Sequence, residues 1–272
     1  MSANATGAQV AVVTGAGRGF GLEIARRLLQ RGFTVVFTDV NAAAVAAGEQ
    51  SLGPGAHGLV ADAREASAHR RAAAVASGLG RLSVWVNNAG VARAAKIWEH
   101  SDEDVELTVH VNLLGVMHGS RAAVEAMRPT GGGHILNIAS MSAFGPVPGL
   151  GVYAATKAGV LSFTKSLQGD LDLSGVPIRV HALCPDAADT RMVSDVAGEP
   201  ESALLFSGLG LLSPERVADA AVDLLDGRRI VKSMPLYRSG LTRAADLVPT
   251  AGLKTLSVFR RIGEHRRRRA AH

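Results

Sequence analysis

Gln9-Val10-Ala11-Val12-Val13-Thr14-Gly15-Ala16-Gly17-Arg18-Gly19-Phe20-Gly21 is the stretch whose reading decides the fold. The Val-rich run Gln9 to Thr14 reads as a buried strand, and it empties into glycines. Glycine lets a chain turn sharply and lets backbone approach a pyrophosphate closely. A helix that starts directly afterwards adds free amides and the positive end of its dipole. Gly19 to Arg31 supplies that helix, with Leu22, Ile24, Ala25, Leu28 and Leu29 at helical spacing. Strand, glycine turn and helix in this order are the context a dinucleotide cradle requires.

The same alternation continues outward. Strands are expected at Thr34 to Thr38, Gly58 to Ala61, Leu82 to Val86, His134 to Ala139, Ile178 to Leu183 and Arg229 to Met234. Helices are expected at Ala42 to Leu52, Arg64 to Leu79, Asp102 to Met127 with a break near Asn112, Val152 to Leu173 and Pro214 to Leu225. Ser213-Pro214-Glu215 reads as a cap for the last of these. Such alternation implies α/β architecture, a doubly wound parallel sheet with helices on both faces. Asp39 closes the second strand, twenty residues after Gly19. A carboxylate there can accept from both adenosine ribose hydroxyls and repels a 2′-phosphate. Its alternative role is to cap the helix at Ala42. Arg18 argues the other way, since a guanidinium in this loop could meet a 2′-phosphate; Val40 brings no second cation.

Composition narrows the setting. The 272 residues are 47% apolar and only 4% aromatic, and no run of eighteen apolar residues occurs. Met1 to Ala8 carries no basic-then-apolar leader. Cys184 is the lone cysteine, so no intrachain disulfide can form and a reducing, cytoplasmic setting is expected. The net charge of +5 belongs to the end of the chain. From Lys254 to His272, seven basic residues face one acid, Glu264, so this tail carries +6 and the body −1. The body therefore carries no nucleic-acid signature.

Tyr153-Ala154-Ala155-Thr156-Lys157 carries the chemistry. On a helix, residues four apart share a face. A phenol titrates near ~10 in water, and a neighbouring ammonium stabilises its anion, so the pair can act as an acid/base device.

With these residues in place the chain resembles the short-chain dehydrogenase/reductase family over roughly its first 225 positions. The family's glycine motif matches Thr14, Gly15, Gly19 and Gly21, its adenine-contacting acid Asp62, and its Asn-Asn-Ala-Gly motif Asn87-Asn88-Ala89-Gly90. Its catalytic Asn, Ser, Tyr and Lys match Asn112, Ser140, Tyr153 and Lys157. The resemblance implies a single Rossmann domain over 9–238 with strand order 3-2-1-4-5-6-7, a tail at 1–8 and a basic helical extension at 239–272. It implies NAD as cofactor, with NADP the alternative, no metal, and a homodimer or homotetramer. Cofactor contacts are expected from Gly15, Gly17, Arg18, Gly19, Phe20 and Gly21 in the first turn, Asp39 and Val40 after the second strand, and Asp62 and Ala63 after the third. Asn88, Ala89 and Gly90 after the fourth strand, Tyr153 and Lys157, and Pro185, Ala188 and Thr190 after the sixth complete the set. The implied roles are an acid/base for Tyr153 and an oxygen-binding hydroxyl for Ser140. Lys157 would lower the tyrosine pKa and hold ribose, and Asn112 would hold a relay water.

Two departures stand out. Where the family has Pro-Gly after the sixth strand, this chain has Pro185-Asp186, which puts a charge near the nicotinamide site. The family's closing Gly-Gly turn is absent, and the basic stretch Ser239 to His272 follows instead. Its apolar residues Leu253, Leu256, Val258, Phe259 and Ile262 alternate with cations. That pattern suits either a helix on an anionic membrane surface or one docked on its own body or on a partner subunit with a solvated basic end.

The substrate is the thinnest reading. Ala203 to Leu212 is apolar with glycine hinges, a lid suited to a hydrophobic alcohol or ketone of steroid, terpenoid or lipid type. Ser140, Ser142, Tyr153 and Phe206 are the expected substrate contacts, with Met141, Phe144, Pro146, Val147 and Leu150 as wall. The rival readings are an NADP-dependent carbonyl reductase and a non-catalytic dinucleotide sensor or membrane-surface scaffold.

Overall fold

The computed structural model describes residues 7–270. Of the expected tail 1–8, only Gly7 and Ala8 therefore fall within it. Seven strands form one parallel sheet in the order β3-β2-β1-β4-β5-β6-β7. They are β1 (Gln9–Thr14), β2 (Thr34–Asp39), β3 (Ala56–Val60), β4 (Arg81–Asn87), β5 (Gly133–Ile138), β6 (Ile178–Pro185) and β7 (Val231–Met234). Parallel strands need crossovers, and the chain uses helices for them.

The period-two alternation of β1 sorts its side chains to opposite faces. Ala11 and Val13 join Val35 and Phe37 under α1 (Gly19–Gln30) and α8 (Pro214–Leu224). Val10 and Val12 join Trp85, Ile135 and Val180 under α3 (Ala66–Leu79), α5 (Gly115–Met127) and α6 (Gly151–Leu173). These helices present mostly Ala to the sheet, including Ala72, Ala76, Ala122 and Ala123, so they approach it closely. The remaining crossover helices are α2 (Ala42–Leu52) and α4 (Asp102–Val109), followed late in the chain by α7 (Arg191–Val196). Full burial of each Val or Leu contributes about 1.5–3 kcal/mol.

One polar network runs through this core. Asn87 accepts from Trp85 Nε1 at 2.8 Å and donates to Ser120 at 3.0 Å and to Asn137 at 2.8 Å. Asn137 in turn donates to Thr164 at 2.9 Å. Every member is paired, so the network fixes β4 and β5 against α5 and α6.

The expected break near Asn112 is real. Residues His110–Leu114 form a π-helical turn that joins α4 to α5 without ending the helix. After β7 the chain continues into α9 (Leu236–Asp246) and α10 (Pro249–Ala270), so the expected domain limit at 238/239 falls inside a helix. Among the described residues no helix is long and apolar enough to cross a membrane.

Three histidines are held neutral by the fold. His181 Nδ1 donates to the Arg229 carbonyl at 2.8 Å, which leaves Nε2 to accept from His134 Nδ1 at 3.0 Å. His69 bonds the Ala63 carbonyl at 2.9 Å. Burial pushes all three pKa values below the ordinary histidine value. A depressed folded-state pKa contributes stability that is present above the unfolded pKa, about 6.5, and is lost as pH falls through the folded value. The melting temperature, followed by circular dichroism, should therefore fall by several degrees between about pH 7.5 and about pH 5.5. A flat or rising profile in that window would contradict the assignment.

Candidate active site

The site lies where the sheet order changes direction. β1 and β4 are neighbours, and the chains leaving them turn to opposite faces, which opens a crevice at their carboxyl ends. Thr14 Oγ1 accepts from the amides of Asn88 at 3.1 Å and Ala89 at 3.2 Å. Asn88 Nδ2 returns bonds to the carbonyls of Thr14 at 3.0 Å and Gly15 at 2.8 Å. The two loops therefore cross in contact. A Cβ at Gly15 would lie 2.5 Å from Ala89 Cα, and its φ of +61° is itself unsuited to a side chain. Arg18 precedes α1 without a side-chain capping bond, so the first amides of that helix remain available to an anion.

A cavity of about 940 Å³ runs from this cradle across the carboxyl edge of the sheet. Its cofactor end is lined by Gly15, Arg18, Gly19, Phe20, Asp39, Val40, Asp62 and Ala63. Asn88, Ala89, Gly90, Pro185, Ala188 and Thr190 continue the lining toward the chemistry. Gly17 and Gly21 do not line it. Gly17 donates its amide to Asp39 Oδ2 at 3.0 Å, and Gly21 lies under Asn88, where a Cβ would come within 2.5 Å of Nδ2. Both are spacers that allow the loop to pack. Asp39 Oδ1 also accepts from the Asn41 amide at 3.0 Å, while Asn41 itself caps α2 by accepting from the Ala44 amide at 3.0 Å. The alternative role of Asp39 as that cap is thus filled by Asn41. Asp62 pairs with Arg64 at 2.6 Å, and this guanidinium holds its carboxyl below the usual range. Free helical amides, a carboxylate at the end of β2 and a glycine-rich loop together fit a dinucleotide.

The chemical end lies beyond the tip of β5. Ser140 caps a short 3-10 turn, Met141–Phe144, and its Oγ accepts from the Ser142 amide at 3.2 Å and the Ser142 hydroxyl at 2.8 Å. Neither bond uses the Ser140 proton, which can be donated toward the cavity. Tyr153 and Lys157, on successive turns of α6, line the same cavity as Ser140. Lys157 is 4% exposed, donates to the Ile138 carbonyl at 2.9 Å and sits 5.6 Å from the Tyr153 ring centre.

The chemical end departs from expectation in several places. Lys157 does not lower the tyrosine pKa in the protein alone: burial dominates, pushing the phenol up and the ammonium down to about 8, while a hydrogen bond from Ser140 opposes the rise. The Asn112 amide does not face the cavity. It accepts from the Val91 amide and donates to the Val91 carbonyl, both at 2.8 Å, and clasps the strand exit like a paired backbone. Phe206 is 7% exposed and turns into the body, because the turn Pro200–Ser207 is 3-10 and sends Leu204, Leu205 and Ser207 to the cavity instead. Phe144 likewise leaves the wall and packs under Arg243, 4.3 Å from its ring. Met141, Ser142, Pro146, Val147 and Leu150 do line it.

The outer wall was not foreseen. Tyr237, Leu241 and Thr242 of α9 and Leu256, Phe259 and Ile262 of α10 face the cavity. α10 is docked on the body. Gly263 packs against the Ala203 carbonyl, Arg266 bonds the Gly208 carbonyl, and Arg267 donates to the carbonyls of Ala197 at 3.0 Å and Gly198 at 2.9 Å. The Arg268 and Arg269 side chains lie outside the described residues. An apolar stripe at helical spacing was the available signal, but it does not name its partner surface.

A family model described as short chain dehydrogenase matches residues 9–200. 1-Deoxy-11-beta-hydroxypentalenate dehydrogenase of Streptomyces avermitilis is 36% identical over 228 residues, covering 80% of this chain and 82% of its own. The chain spans only 43% of the length of other relatives it matches, the mycobacterial probable oxidoreductases EphD. A short chain dehydrogenase/reductase from Burkholderia phymatum, solved with NAD, superposes with a TM-score of 0.80 at 28% identity, over 87% of this chain and 92% of its own. A variant of actinorhodin polyketide ketoreductase, solved with NADPH, gives 0.74 at 30% identity, over 84% and 95%.

Proposed function

This chain belongs to the short chain dehydrogenase family, a family of NAD(P)-dependent oxidoreductases, and on that footing we propose that it moves hydride between NAD and a hydrophobic secondary alcohol or ketone, with Tyr153 as the acid/base. The observation that carries the reading is convergence. Ser140, Tyr153 and Lys157 meet on one wall of a cavity whose far end is the glycine cradle and whose outer wall is apolar.

The cofactor supplies the hydride acceptor or donor. The side chains do the rest. Ser140 donates to the substrate oxygen and fixes it beside the phenol. Tyr153 takes the alcohol proton in oxidation and returns one in reduction. Its raised pKa keeps it protonated at neutral pH, the form that reduction requires. Lys157, with a pKa near 8, lies close to the operating pH and can pass a proton without a large driving force. Asn112 holds the Val91 strand exit in place and is a positioning residue. The apolar groups Val147, Leu150, Leu205, Leu241 and Phe259 favour a bulky hydrocarbon frame over a phosphorylated sugar. A relative named as a dehydrogenase of 1-deoxy-11-beta-hydroxypentalenate and a structural neighbour named as a polyketide ketoreductase are in keeping with that choice.

Asp39 supports NAD over NADP. Its carboxylate stands at the cleft, anchored by the amides of Gly17 and Asn41, so a 2′-phosphate would face a fixed negative charge.

Two measurements test the proposal. On a panel of hydrophobic alcohols and ketones, read by absorbance of reduced nicotinamide, Tyr153→Phe should lose a factor on the order of 10² or more in kcat with NAD affinity retained. Near parental turnover would overturn the role of Tyr153. Asp39→Ala should shift the kcat/KM preference from NAD toward NADP, and a parent enzyme that already favours NADP would refute the cofactor choice.

A further inference from the structure

We propose that Asp186 and Arg238 form a latch that holds the C-terminal helices α9 and α10 over the reaction site, and that this latched cap sets which substrates reach Tyr153. The inference rests on the oxidoreductase reading above and adds its selectivity element.

Asp186 Oδ2 lies 3.1 Å from Arg238 Nε, and the two side chains are only 12% and 21% exposed. Asp186 follows Pro185 at the tip of β6, on the loop that carries Ala188 and Thr190 to the cofactor end of the cavity. Arg238 lies in the first turn of α9. A second arm of its guanidinium, Nη2, donates to Ser207 Oγ at 3.0 Å, and Ser207 is anchored to the Leu204 carbonyl at 2.7 Å. One side chain therefore joins the cofactor loop, the lid turn Pro200–Ser207 and the cap. The Asp186 amide adds a bond to the Met234 carbonyl at 2.8 Å, just ahead of α9.

The backbone makes room for this pair. A Cβ on Gly208 would lie 2.7 Å from Arg238 Nη1 and 3.2 Å from Asp186 Oδ2, so the bare backbone there leaves space for the charges to meet. Beyond the latch, α10 closes the wall with Leu256, Phe259 and Ile262 and is seated on the lid by Gly263 and Arg266. A shielded ion pair is a poor source of net stability but a strict determinant of geometry, because either charge left alone is costly. The two departures noted in the sequence, a charge in place of glycine at 186 and an extension in place of the usual ending, are then two halves of one device.

The full-length parent, Asp186→Asn, Arg238→Met, their double variant and Gly208→Ala would be compared. The probes are decahydro-2-naphthol as bulky substrate and cyclohexanol as small one, with calorimetry for NAD affinity and hydrogen exchange over residues 236–267. Each single charge variant should lower the bulky-to-small ratio of kcat/KM by about tenfold, equivalent to 1.4 kcal/mol. The double variant should lose no more than either single, since the pair acts as a unit. Gly208→Ala, which keeps both charges and only crowds the guanidinium, should shift the ratio in the same direction. Exchange in α9 and α10 should quicken in all of them. An unchanged ratio, equal losses on both alcohols, or single losses that multiply in the double variant would overturn the proposal. If the parent turns over neither alcohol, the function proposed above fails, and unchanged exchange in the variants would then refute the latch separately.

Discussion

The structure depends on a contact that a single methyl group would prevent. The first βα turn crosses the exit of β4 with Gly15 against Ala89, and Thr14 and Asn88 tie the two loops together with four hydrogen bonds. That crossing is possible only because residue 15 has no side chain and can take a positive φ. It places the open end of α1 beside the tip of β4. Every group with a chemical role then arrives at one edge of the sheet: the amides of α1, Asp39 from β2, Ser140 beyond β5, the Tyr153 and Lys157 pair on α6, and the loop after β6. The buried Asn87–Asn137–Thr164 network holds those strands and helices in register beneath the site.

Much of this was legible in the sequence because it is local. Strand and helix periods are written into consecutive residues, and a glycine turn between them has one well-understood use. Ser140, Tyr153 and Lys157 stand in the order and spacing of the family, and the structure brings them to one wall. What was not legible is decided by partners distant in the chain. The partner of the Asn112 amide, Val91, lies twenty-one residues away, and no local pattern announces that contact. The phenol shift could not be read from an i,i+4 spacing, since desolvation depends on what encloses the pair. Phe206 was misread because a continuous apolar run has no period to show which side faces in. The apolar and cationic pattern of α10 suits a membrane surface as well as a protein surface, and only the seat at Ala203 and Gly208 distinguishes them.

Electrostatics divide the cavity into two regimes. At the cofactor end, Asp39 is held by backbone amides, and Arg64 favours the charged form of Asp62. At the reacting wall, burial disfavours charge on Tyr153 and Lys157, so proton positions rather than fixed charges matter there, whereas Asp186 meets the opposite charge of Arg238. The same burial pushes the Cys184 thiol up to about 12, which keeps the lone cysteine inert beside Lys157. For the function proposed, an apolar cap over such a region would exclude water and strengthen each hydrogen bond made to a substrate oxygen.

The most direct measurement is a crystal structure of the enzyme with cofactor and a bulky ketone from the panel. The account predicts the ketone oxygen within about 3 Å of both Ser140 Oγ and Tyr153 Oη, with its hydrocarbon frame against Leu205, Leu241 and Phe259. A ketone oxygen bound out of reach of Tyr153, or a frame seated away from α9 and α10, would contradict it.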